Sequence, residues 1–491
     1  MNLNKKFARG VGIVGFSQIF AVIQSFLLLS ILSKMLGAND FGIWSQIKVT
    51  VFLLAGISSL GLPSAIIRFM SGVGDREKLS CELSSVFFIS IISTMIFGLG
   101  VYVFSDKIAL ALTSDGSSGF FFKFVILMIL SRVSHAFFKT FIRAKKEFKV
   151  FSIIEISNYI FELLFIFVLL KWDFGLIGVI IGFVLARVLL IFFELIFIRK
   201  YVGVTLPRFS KIKKYISFGL PLTITPLLFW IILSSDQYII GFFHGAKLVG
   251  VYALAYSLSR LIRTVADPIL LLLQPSLASS WNNGSFNEMK MYFNYSYKYI
   301  FMVAIPAIFG ISFLAKHLIL IISTPEFIGG VYIIPIVGLG FLFYLFFMIS
   351  FEIFMLKKET KQLTGVLILL AIFNIVLNII LVPIFANMGA AVSTLLSFFI
   401  AGSFGLYKIK KFGFNIMPGF LLKSLFSAMV MGLFLFFVRN FNLGNIYLSA
   451  GFMVVIGAII YFVILYLIKG IEKSEIKFFL NLLKKDKIDV N

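Results

Sequence analysis

The fold is decided by residues 236–252, DQYIIGFFHGAKLVGVY, which join two apolar runs at 215–241 and 249–276. Each run is long enough to cross a bilayer as a helix, and a glycine-framed turn lies between them. The second run carries Arg260, Arg263 and Asp267 at helical spacing. Ionised groups inside such runs are costly and usually functional, so this stretch directs attention to a membrane site.

The same turn occurs near the N-terminus. Residues 37–44, GANDFGIW, align without a gap on residues 245–252, GAKLVGVY, and a Pro-Ser pair follows each turn at Pro63-Ser64 and Pro275-Ser276. A repeat on this scale indicates two related halves with the same membrane orientation. Chance recurrence of a short glycine-framed turn is the alternative explanation.

The composition indicates a membrane protein. The 491 residues are 60% hydrophobic and 13% charged, whereas soluble domains carry about 25% charged residues. Fourteen apolar runs have lengths suited to membrane spans, at residues 11–32, 43–67, 83–104, 120–138, 150–170, 174–198, 215–241, 249–276, 299–314, 331–356, 363–385, 390–407, 420–438 and 447–468. We therefore predict an all-α polytopic membrane protein with about fourteen transmembrane helices.

The repeat predicts how these helices are organised. We expect two parallel six-helix repeats around a central cavity, at residues 1–210 and 211–412. Two further helices would follow at 413–468, and residues 469–491 would form a cytoplasmic tail. That tail mixes lysines with apolar residues, so it could lie on the inner leaflet as an interfacial helix or remain solvated.

The basic residues predict the orientation in the membrane. Most of the 44 lysines and arginines fall in alternate loops, and the loops of the opposite side hold Lys34, Lys107, Lys123, Lys171, Lys247, Lys316 and Arg439. The positive-inside rule then places both termini in the cytoplasm. Because the positive charge is divided among short loops, the net charge of +23 does not indicate nucleic-acid binding.

Several functional classes have no support in the sequence. Cys81 is the single cysteine and the three histidines are scattered, which leaves no motif for a metal site. No GxxxxGK motif followed by Ser or Thr occurs, so direct ATP hydrolysis is not supported. The outward loops are too short for a soluble catalytic domain. We predict a carrier that has no cofactor and is not an enzyme.

The two hairpins resemble a known family. Residues 32–44, LSKMLGANDFGIW, and residues 236–243 with 249–253 are similar to the two hairpin blocks of polysaccharide exporters in the multidrug/oligosaccharidyl-lipid/polysaccharide (MOP) superfamily, with most likeness to Wzx-type O-antigen flippases. The number of predicted spans and their topology resemble the family over essentially the whole chain. The resemblance in individual residues rests mainly on the two hairpins.

The resemblance implies a function and its partners. It implies flipping of an undecaprenyl-diphosphate-linked oligosaccharide repeat unit from the inner to the outer leaflet of the bacterial cytoplasmic membrane. It also implies alternating access around a cationic cavity, with coupling to an ion or a proton. The membrane bilayer and the lipid-linked oligosaccharide are then the partners, and a polysaccharide polymerase or chain-length complex is a candidate third.

Head-group binding is assigned first to arginines of the eighth span. Arg260, Arg263 and Asp267 would share one face of that helix, and an arginine fork matches a diphosphate geometrically. Pairing of Arg263 with Asp267 that only locks the bundle is the alternative. Arg68, at the inner end of the second span, is a further head-group candidate, although an arginine there could simply snorkel to the interface.

Other intramembrane polar groups are candidates for coupling or for lining the cavity. Asp236 could carry a coupling proton or orient the turn by packing. Glu155, Asn158 and Glu162 would form a polar stripe on the fifth span, and Arg187 lies on the sixth. This stripe could line the sugar path or relay protons, with Arg187 contacting the head group. Equally, Arg187 could pair with Glu162 across the bundle.

Three alternative functions remain. A multidrug or organic-cation antiporter and a lipid II flippase belong to the same superfamily and share its architecture. A membrane polysaccharide polymerase or ligase is the alternative from another class, and the short outward loops count against it.

Overall fold

The computed structural model describes residues 3–264, 266–357, 359–414, 418–439, 444–472 and 475. Within those ranges the chain forms α-helices and three short 3-10 helices, and no β-strand. The first nine α-helices are α1 Leu3–Ser58, α2 Leu62–Met70, α3 Arg76–Val103, α4 Ser105–Thr113, α5 Gly119–Phe122, α6 Val125–Ala144, α7 Phe148–Lys171, α8 Gly175–Ile198 and α9 Ile212–Leu222. The others are α10 Ile224–Ser259, α11 Leu261–Thr264, α12 Asp267–Asn282, α13 Phe286–Phe313, α14 Ala315–Ile322, α15 Ile333–Leu356, α16 Thr360–Lys411, α17 Pro418–Val438 and α18 Ile446–Leu467. The 3-10 helices are Gly116–Ser118, Phe209–Lys211 and Pro325–Val331.

The helices have the length and composition of membrane spans. Eleven helical stretches of the described chain are long and apolar enough to cross a bilayer. Three of them are much longer than one crossing needs, namely Phe20–Ser58, Phe209–Asn282 and Lys361–Lys411. Each contains a residue outside helical geometry. The predicted all-α membrane architecture is confirmed, and the number fourteen stays a prediction.

The chain divides into two compact units. The first comprises Met1–Leu254, Ile322–Phe327 and Thr364–Ser393. The second comprises Ala255–Ile321, Ile328–Leu363 and Thr394–Asn491. The domain boundaries expected from the sequence stay a prediction. Of the expected tail, only residues 469–472 and 475 lie within the described residues.

The order of elements repeats along the chain. The 28-residue helix α3 is followed by the short helix α4 and a 3-10 helix, and the 28-residue helix α13 is followed by the short helix α14 and a 3-10 helix. A long helix broken at a glycine precedes both groups, as α1 and α10. Two related halves explain this repetition.

The two matching turns have the same backbone conformation. Gly37 has φ 71° and ψ 178°, and Gly245 has φ 79° and ψ 176°. This region of backbone space is essentially restricted to glycine. A single glycine therefore breaks each long helix, where the sequence had suggested a short loop.

The two hairpins pack against each other in a reciprocal way inside the first unit. A Cβ atom added at Gly42 would lie 1.8 Å from the carbonyl oxygen of Ala246, and one added at Gly250 would lie 2.0 Å from that of Ala38. These four residues occupy matching positions of the repeat. The repeat is therefore also a packing interface, in which the two backbones meet without intervening side chains.

Each turn is also covered by a segment from elsewhere in the chain. The 3-10 helix Pro325–Val331 covers the first turn, and the residues after α4 cover the second. Glu326 accepts a hydrogen bond of 2.8 Å from the backbone N–H of Ala38, directly after the break at Gly37. Ser114 donates from its Oγ to the carbonyl oxygen of Gly241 at 3.1 Å. These polar contacts satisfy backbone groups near the helix breaks, as burial requires.

Three runs expected to be single helices are interrupted near a proline, and a fourth, 120–138, is interrupted between Phe122 and Val125 without one. The run 43–67 breaks between Ser58 and Leu62, the run 215–241 breaks at Thr223, and the run 249–276 breaks between Ser259 and Asp267. Proline removes a helical hydrogen bond and restricts the preceding residue. It occurs at or near all three breaks, as Pro63, Pro221 with Pro226, and Pro268.

The helix that contains the expected ninth span, 299–314, begins earlier in the chain than the sequence predicted. Helix α13 begins at Phe286, because its polar first half continues the helix although it lowers the hydropathy.

Candidate functional site

The arginines of the expected eighth span lie at a break in the helix. Helix α10 ends at Ser259, Arg260 occupies the turn before α11, and α12 begins at Asp267. Arg260 and Asp267 are exposed and Arg263 is half-buried. The expectation that the three residues share one face of a continuous helix was therefore wrong, because the proline-containing stretch interrupts the helix between them.

Tyr344 of α15 packs beside these charges in the second unit. The guanidinium carbon of Arg263 lies 5.7 Å from the centroid of the Tyr344 ring, and that ring is only 2% exposed. Arg260, Arg263 and Asp267 all act electrostatically on the tyrosine, and both arginines act on the aspartate. The two arginines and the aspartate therefore form one local cluster around Tyr344.

The ion pair considered as a structural alternative is not formed. No ion pair within 4.0 Å joins Arg263 to Asp267, both of which the structure describes. The Nε atom of Arg263 is buried and has no hydrogen-bond partner. The guanidinium group therefore keeps unused donors, which are what an oxyanion ligand requires.

A second polar cluster joins α7 and α8 in the first unit. The Nη2 atom of Arg187 lies 3.1 Å from Oε2 of Glu162, and its Nη1 atom donates to the carbonyl oxygen of Phe183 at 2.8 Å. The pairing that the sequence left as an alternative is thus present. Asn158, one turn before Glu162, is buried, and its Oδ1 atom has no hydrogen-bond partner.

Helix α6 supplies partners that the sequence did not pair with the polar stripe. The Nζ atom of Lys139 lies 2.7 Å from Oε1 of Glu155, and Nδ1 of His135 lies 3.0 Å from Oε1 of Glu194. His135 and Lys139 are four residues apart and therefore point to one side of α6. That spacing was the available signal, but only the packing of α6 against α7 and α8 chooses the partners.

Asp236 ties the two segments of the second hairpin together. Its carboxylate is 1% exposed and accepts from the Tyr252 hydroxyl at 2.5 Å and from the backbone N–H of Gln237 at 2.8 Å. Gln237 in turn accepts through Oε1 from Ser45 of the first hairpin at 2.6 Å. These contacts are those of a residue that orients the turn. A coupling role for Asp236 stays a prediction.

Further buried polar groups lie beside Asp236. Ser235 donates to Oδ1 of Asn374 at 3.2 Å, and Asn378 donates to the same oxygen at 3.2 Å. In the described part of the chain, no group of three or more His, Cys, Asp or Glu residues could hold a metal ion. The hairpin is therefore surrounded by amide and hydroxyl groups rather than by a carboxylate cluster.

Arg68 lies in the last turn of α2, in the first unit. It is exposed, and its guanidinium carbon lies 4.7 Å from the centroid of the Phe218 ring and 5.8 Å from that of Phe69. The backbone break before α2 packs closely on α9, because a Cβ atom at Gly61 would lie 2.0 Å from the carbonyl oxygen of Gly219. The aromatic rings hold the guanidinium plane and leave its donors available.

Known proteins share this sequence pattern and this fold. The family described as Polysaccharide biosynthesis protein matches residues 7–281. Uncharacterized membrane protein MJ1068 of Methanocaldococcus jannaschii is 21% identical over 465 residues, which cover 88% of this chain and 89% of the relative. Probable flippase AglR of Haloferax volcanii is 25% identical over 213 residues, which cover 42% of this chain and 44% of the relative.

The fold also matches a solved transporter. The structure of the lipid II flippase MurJ in an inward closed conformation superposes with a TM-score of 0.79 at 17% identity, over 92% of this chain and 97% of that one. The protein is therefore a multi-pass membrane protein with the MOP fold, and the predicted resemblance to flippases of that superfamily is confirmed. The family match extends over more than half of the residues of this chain. The chain therefore belongs to the polysaccharide biosynthesis protein family.

Proposed function

We propose that the protein is a flippase that moves an undecaprenyl-diphosphate-linked oligosaccharide from the cytoplasmic to the outer leaflet by alternating access. The family match over residues 7–281 and the MurJ-like fold support a lipid-linked substrate. The observation that carries the assignment to this chain is the pair of arginines at a helix break, with Arg260 exposed and Arg263 half-buried.

The break requires a polar surrounding. Residues 249–276 form an apolar run with the break near its middle. Non-helical backbone at membrane depth is tolerated only when it is buried in protein or lines a water-filled space. The exposed guanidinium of Arg260 is not buried, and an arginine facing lipid is strongly disfavoured. A water-filled path along this break satisfies both constraints.

The chemistry of the cluster suits a diphosphate head group. Guanidinium groups bind phosphate oxygens through pairs of parallel donors. Arg263 is oriented by the ring of Tyr344 and retains an unpaired Nε donor, while Arg260 is exposed three residues earlier. Asp267 lowers the net positive charge of the cluster. This moderation would allow the head group to leave after transport.

The other predicted site residues take different parts in this proposal. Arg68, exposed at the end of α2, would meet the head group at the cytoplasmic entry. Arg187 is held by Glu162 and a carbonyl oxygen, so its head-group contact would require release of that pair. Asp236, Asp267, Glu155, Glu162 and Asn158 remain the proposed coupling and cavity residues, with an ion or a proton as the driving species.

The cellular setting belongs to the same proposal. We place the protein in a bacterial cytoplasmic membrane with both termini in the cytoplasm, acting without a cofactor and without catalysing a covalent reaction. A polysaccharide polymerase or chain-length complex would receive the flipped unit. Lipid II is the second candidate substrate, because the fold match to the lipid II flippase covers 92% of the chain.

The test uses a deletion strain of the source organism with the gene restored in variant forms. The wild type should restore surface polysaccharide, whereas Arg260→Ala and Arg263→Ala should leave lipid-linked repeat units on the cytoplasmic leaflet. Arg439→Ala is the matched control, because Arg439 is an exposed arginine beyond the end of α17.

Three results would redirect the proposal. Normal surface polysaccharide in both arginine variants would refute the assigned site. A cell-wall defect with an intact polymer coat would favour lipid II as the substrate. Normal polymer with gained sensitivity to cationic drugs in the deletion strain would favour an antiporter.

A further inference from the structure

A buried acid–base pair joins α6 to α8 in the first unit. Nδ1 of His135 lies 3.0 Å from Oε1 of Glu194, and the two side chains are 5% and 0% exposed. Both ring nitrogens of His135 and both carboxylate oxygens of Glu194 are buried without a hydrogen-bond partner, so the contact between the two side chains is electrostatic. Buried polar atoms that serve only to hold a structure together are normally satisfied. Four unsatisfied atoms in one pair therefore require another explanation.

The pair has room for one shared proton. The proton can reside on the Glu194 carboxyl beside a neutral imidazole, or on the imidazole of His135 beside a carboxylate. Transfer between Nδ1 and Oε1 leaves the total charge unchanged. Loss of the proton leaves a buried carboxylate beside a neutral ring, and an uncompensated buried charge is strongly unfavourable. The deprotonated state therefore needs a cation.

Lys139 is placed to be that cation. It follows His135 by one turn of α6, and its Nζ atom lies 2.7 Å from Oε1 of Glu155 on α7. Lys139 also acts electrostatically on Glu194. Lys139 is therefore paired with Glu155 and also lies within electrostatic reach of Glu194.

The other charged groups around the pair belong to the same three helices. Arg132 of α6 and Arg187 of α8 act electrostatically on His135. Arg132 lies over the ring of Phe52 at 3.6 Å, and Arg187 is engaged by Glu162 of α7. Both arginines disfavour a positive charge on the imidazole. Arg187 is already paired with Glu162, and neither arginine forms an ion pair with Glu194.

We propose that His135 and Glu194 form a buried proton-binding site whose occupancy controls the packing of α7 against α6. When the proton leaves, the Lys139 ammonium group breaks its ion pair with Glu155 and forms one with Glu194. The ion pair between α6 and α7 is then lost. When the proton returns, Lys139 returns to Glu155 and the two helices are joined again. The use of this switch in transport rests on the proposed flippase function.

Proton binding can be measured without a transport substrate. Full-length protein in phosphatidylglycerol–phosphatidylcholine vesicles is titrated while infrared difference spectra record carboxyl and imidazole bands. We expect one deprotonation that is lost in Glu194→Gln, whereas His135→Gln keeps the carboxyl group and should shift the deprotonation and remove its imidazole bands. His244→Gln and Glu147→Gln are the matched controls. His244 contacts a backbone carbonyl oxygen, and Glu147 pairs with the surface residue Lys200. Both controls should keep the wild-type titration.

The result that overturns the site is a titration of Glu194→Gln identical to that of the wild type. If the glutamine variant does not fold, Glu194→Asp replaces it and should shift the carboxyl band. An unshifted band would equally overturn the proposal. A third variant, Glu155→Gln, should retain the deprotonation and lower the pH at which it occurs, because Lys139 is then available to Glu194 throughout.

Flipping is measured separately in the complemented deletion strain. We expect His135→Gln and Glu194→Gln to lose surface polysaccharide as Arg260→Ala does, while His244→Gln retains it. Loss of the titrating group together with normal polysaccharide would refute the coupling role. A titrating pair in a protein whose deletion leaves surface polysaccharide normal would refute the flippase proposal and leave the proton site intact.

Discussion

The contact between the two hairpins gives the sharpest test of the fold. An alanine at Gly42 would place Cβ 1.8 Å from the carbonyl oxygen of Ala246, and an alanine at Gly250 would place it 2.0 Å from that of Ala38. Ordinary contact begins at 3.4 Å, so the helices must separate by about 1.5 Å. The obstructing atoms belong to backbone, which cannot rotate away.

The magnitude follows from two opposing effects. Overpacking typically costs about 1–3 kcal/mol, and a backbone obstruction belongs at the upper end of that range. The higher helix propensity of alanine than of glycine offsets this cost by up to about 1 kcal/mol of unfolding free energy. We therefore expect Gly42→Ala and Gly250→Ala each to lower the free energy of unfolding by about 2 kcal/mol. The double variant should cost less than the sum, since both substitutions open the same interface.

The assay is equilibrium unfolding of the purified protein in mixed micelles. Gly56→Ala is the control, because Gly56 lies in the same helix as Gly42 and a Cβ atom there meets nothing within 4 Å. That control should be neutral or slightly stabilised. If Gly42→Ala were as stable as Gly56→Ala, the close packing would be wrong. If only one of the two hairpin variants were destabilised, the reciprocal arrangement would be wrong.

Two further predictions concern buried polar pairs. Arg187→Met should destabilise the protein by about 3 kcal/mol, because it leaves the carboxylate of Glu162 buried without its partner. Adding Glu162→Gln should recover most of the loss in the same unfolding assay, and no recovery would contradict the pairing. Asp236→Asn and Tyr252→Phe should each cost about 1–3 kcal/mol by breaking a buried charge-assisted hydrogen bond. The double variant should cost little more than either single one, and simple additivity would exclude a direct contact.

Residue types and their periodicity were sufficient to predict the membrane architecture. Long apolar runs leave the backbone no hydrogen-bond partner except itself, so helices follow from composition and length. The repeated glycine-framed turn was recognisable because a helix break of this geometry needs glycine at one position, Gly37 or Gly245. The charges of the candidate sites were recognisable for the same reason, since ionised groups are rare inside apolar runs.

The partners of those charges could not be predicted from spacing along one helix. Lys139 joins Glu155 and His135 joins Glu194 because α6, α7 and α8 pack together, and such contacts depend on helix rotation and depth. The i, i+4 spacing of Arg263 and Asp267 would allow an ion pair in a continuous helix. The helix is interrupted before α12, and this ion pair is not formed. A proline predicts that a helix is interrupted, but it does not predict the direction of the segment that follows.

Composition, periodicity and the repeated turn are therefore enough to identify a helical membrane protein of two related halves with charged groups inside its spans. The folded chain was needed to show that Gly42 and Gly250 bring the two backbones together, that Lys139 pairs with Glu155, and that Arg260 lies at a helix break. The physical reason is that hydropathy and backbone conformation are local properties of a residue. The choice of an ionic or steric partner depends on the position of another helix.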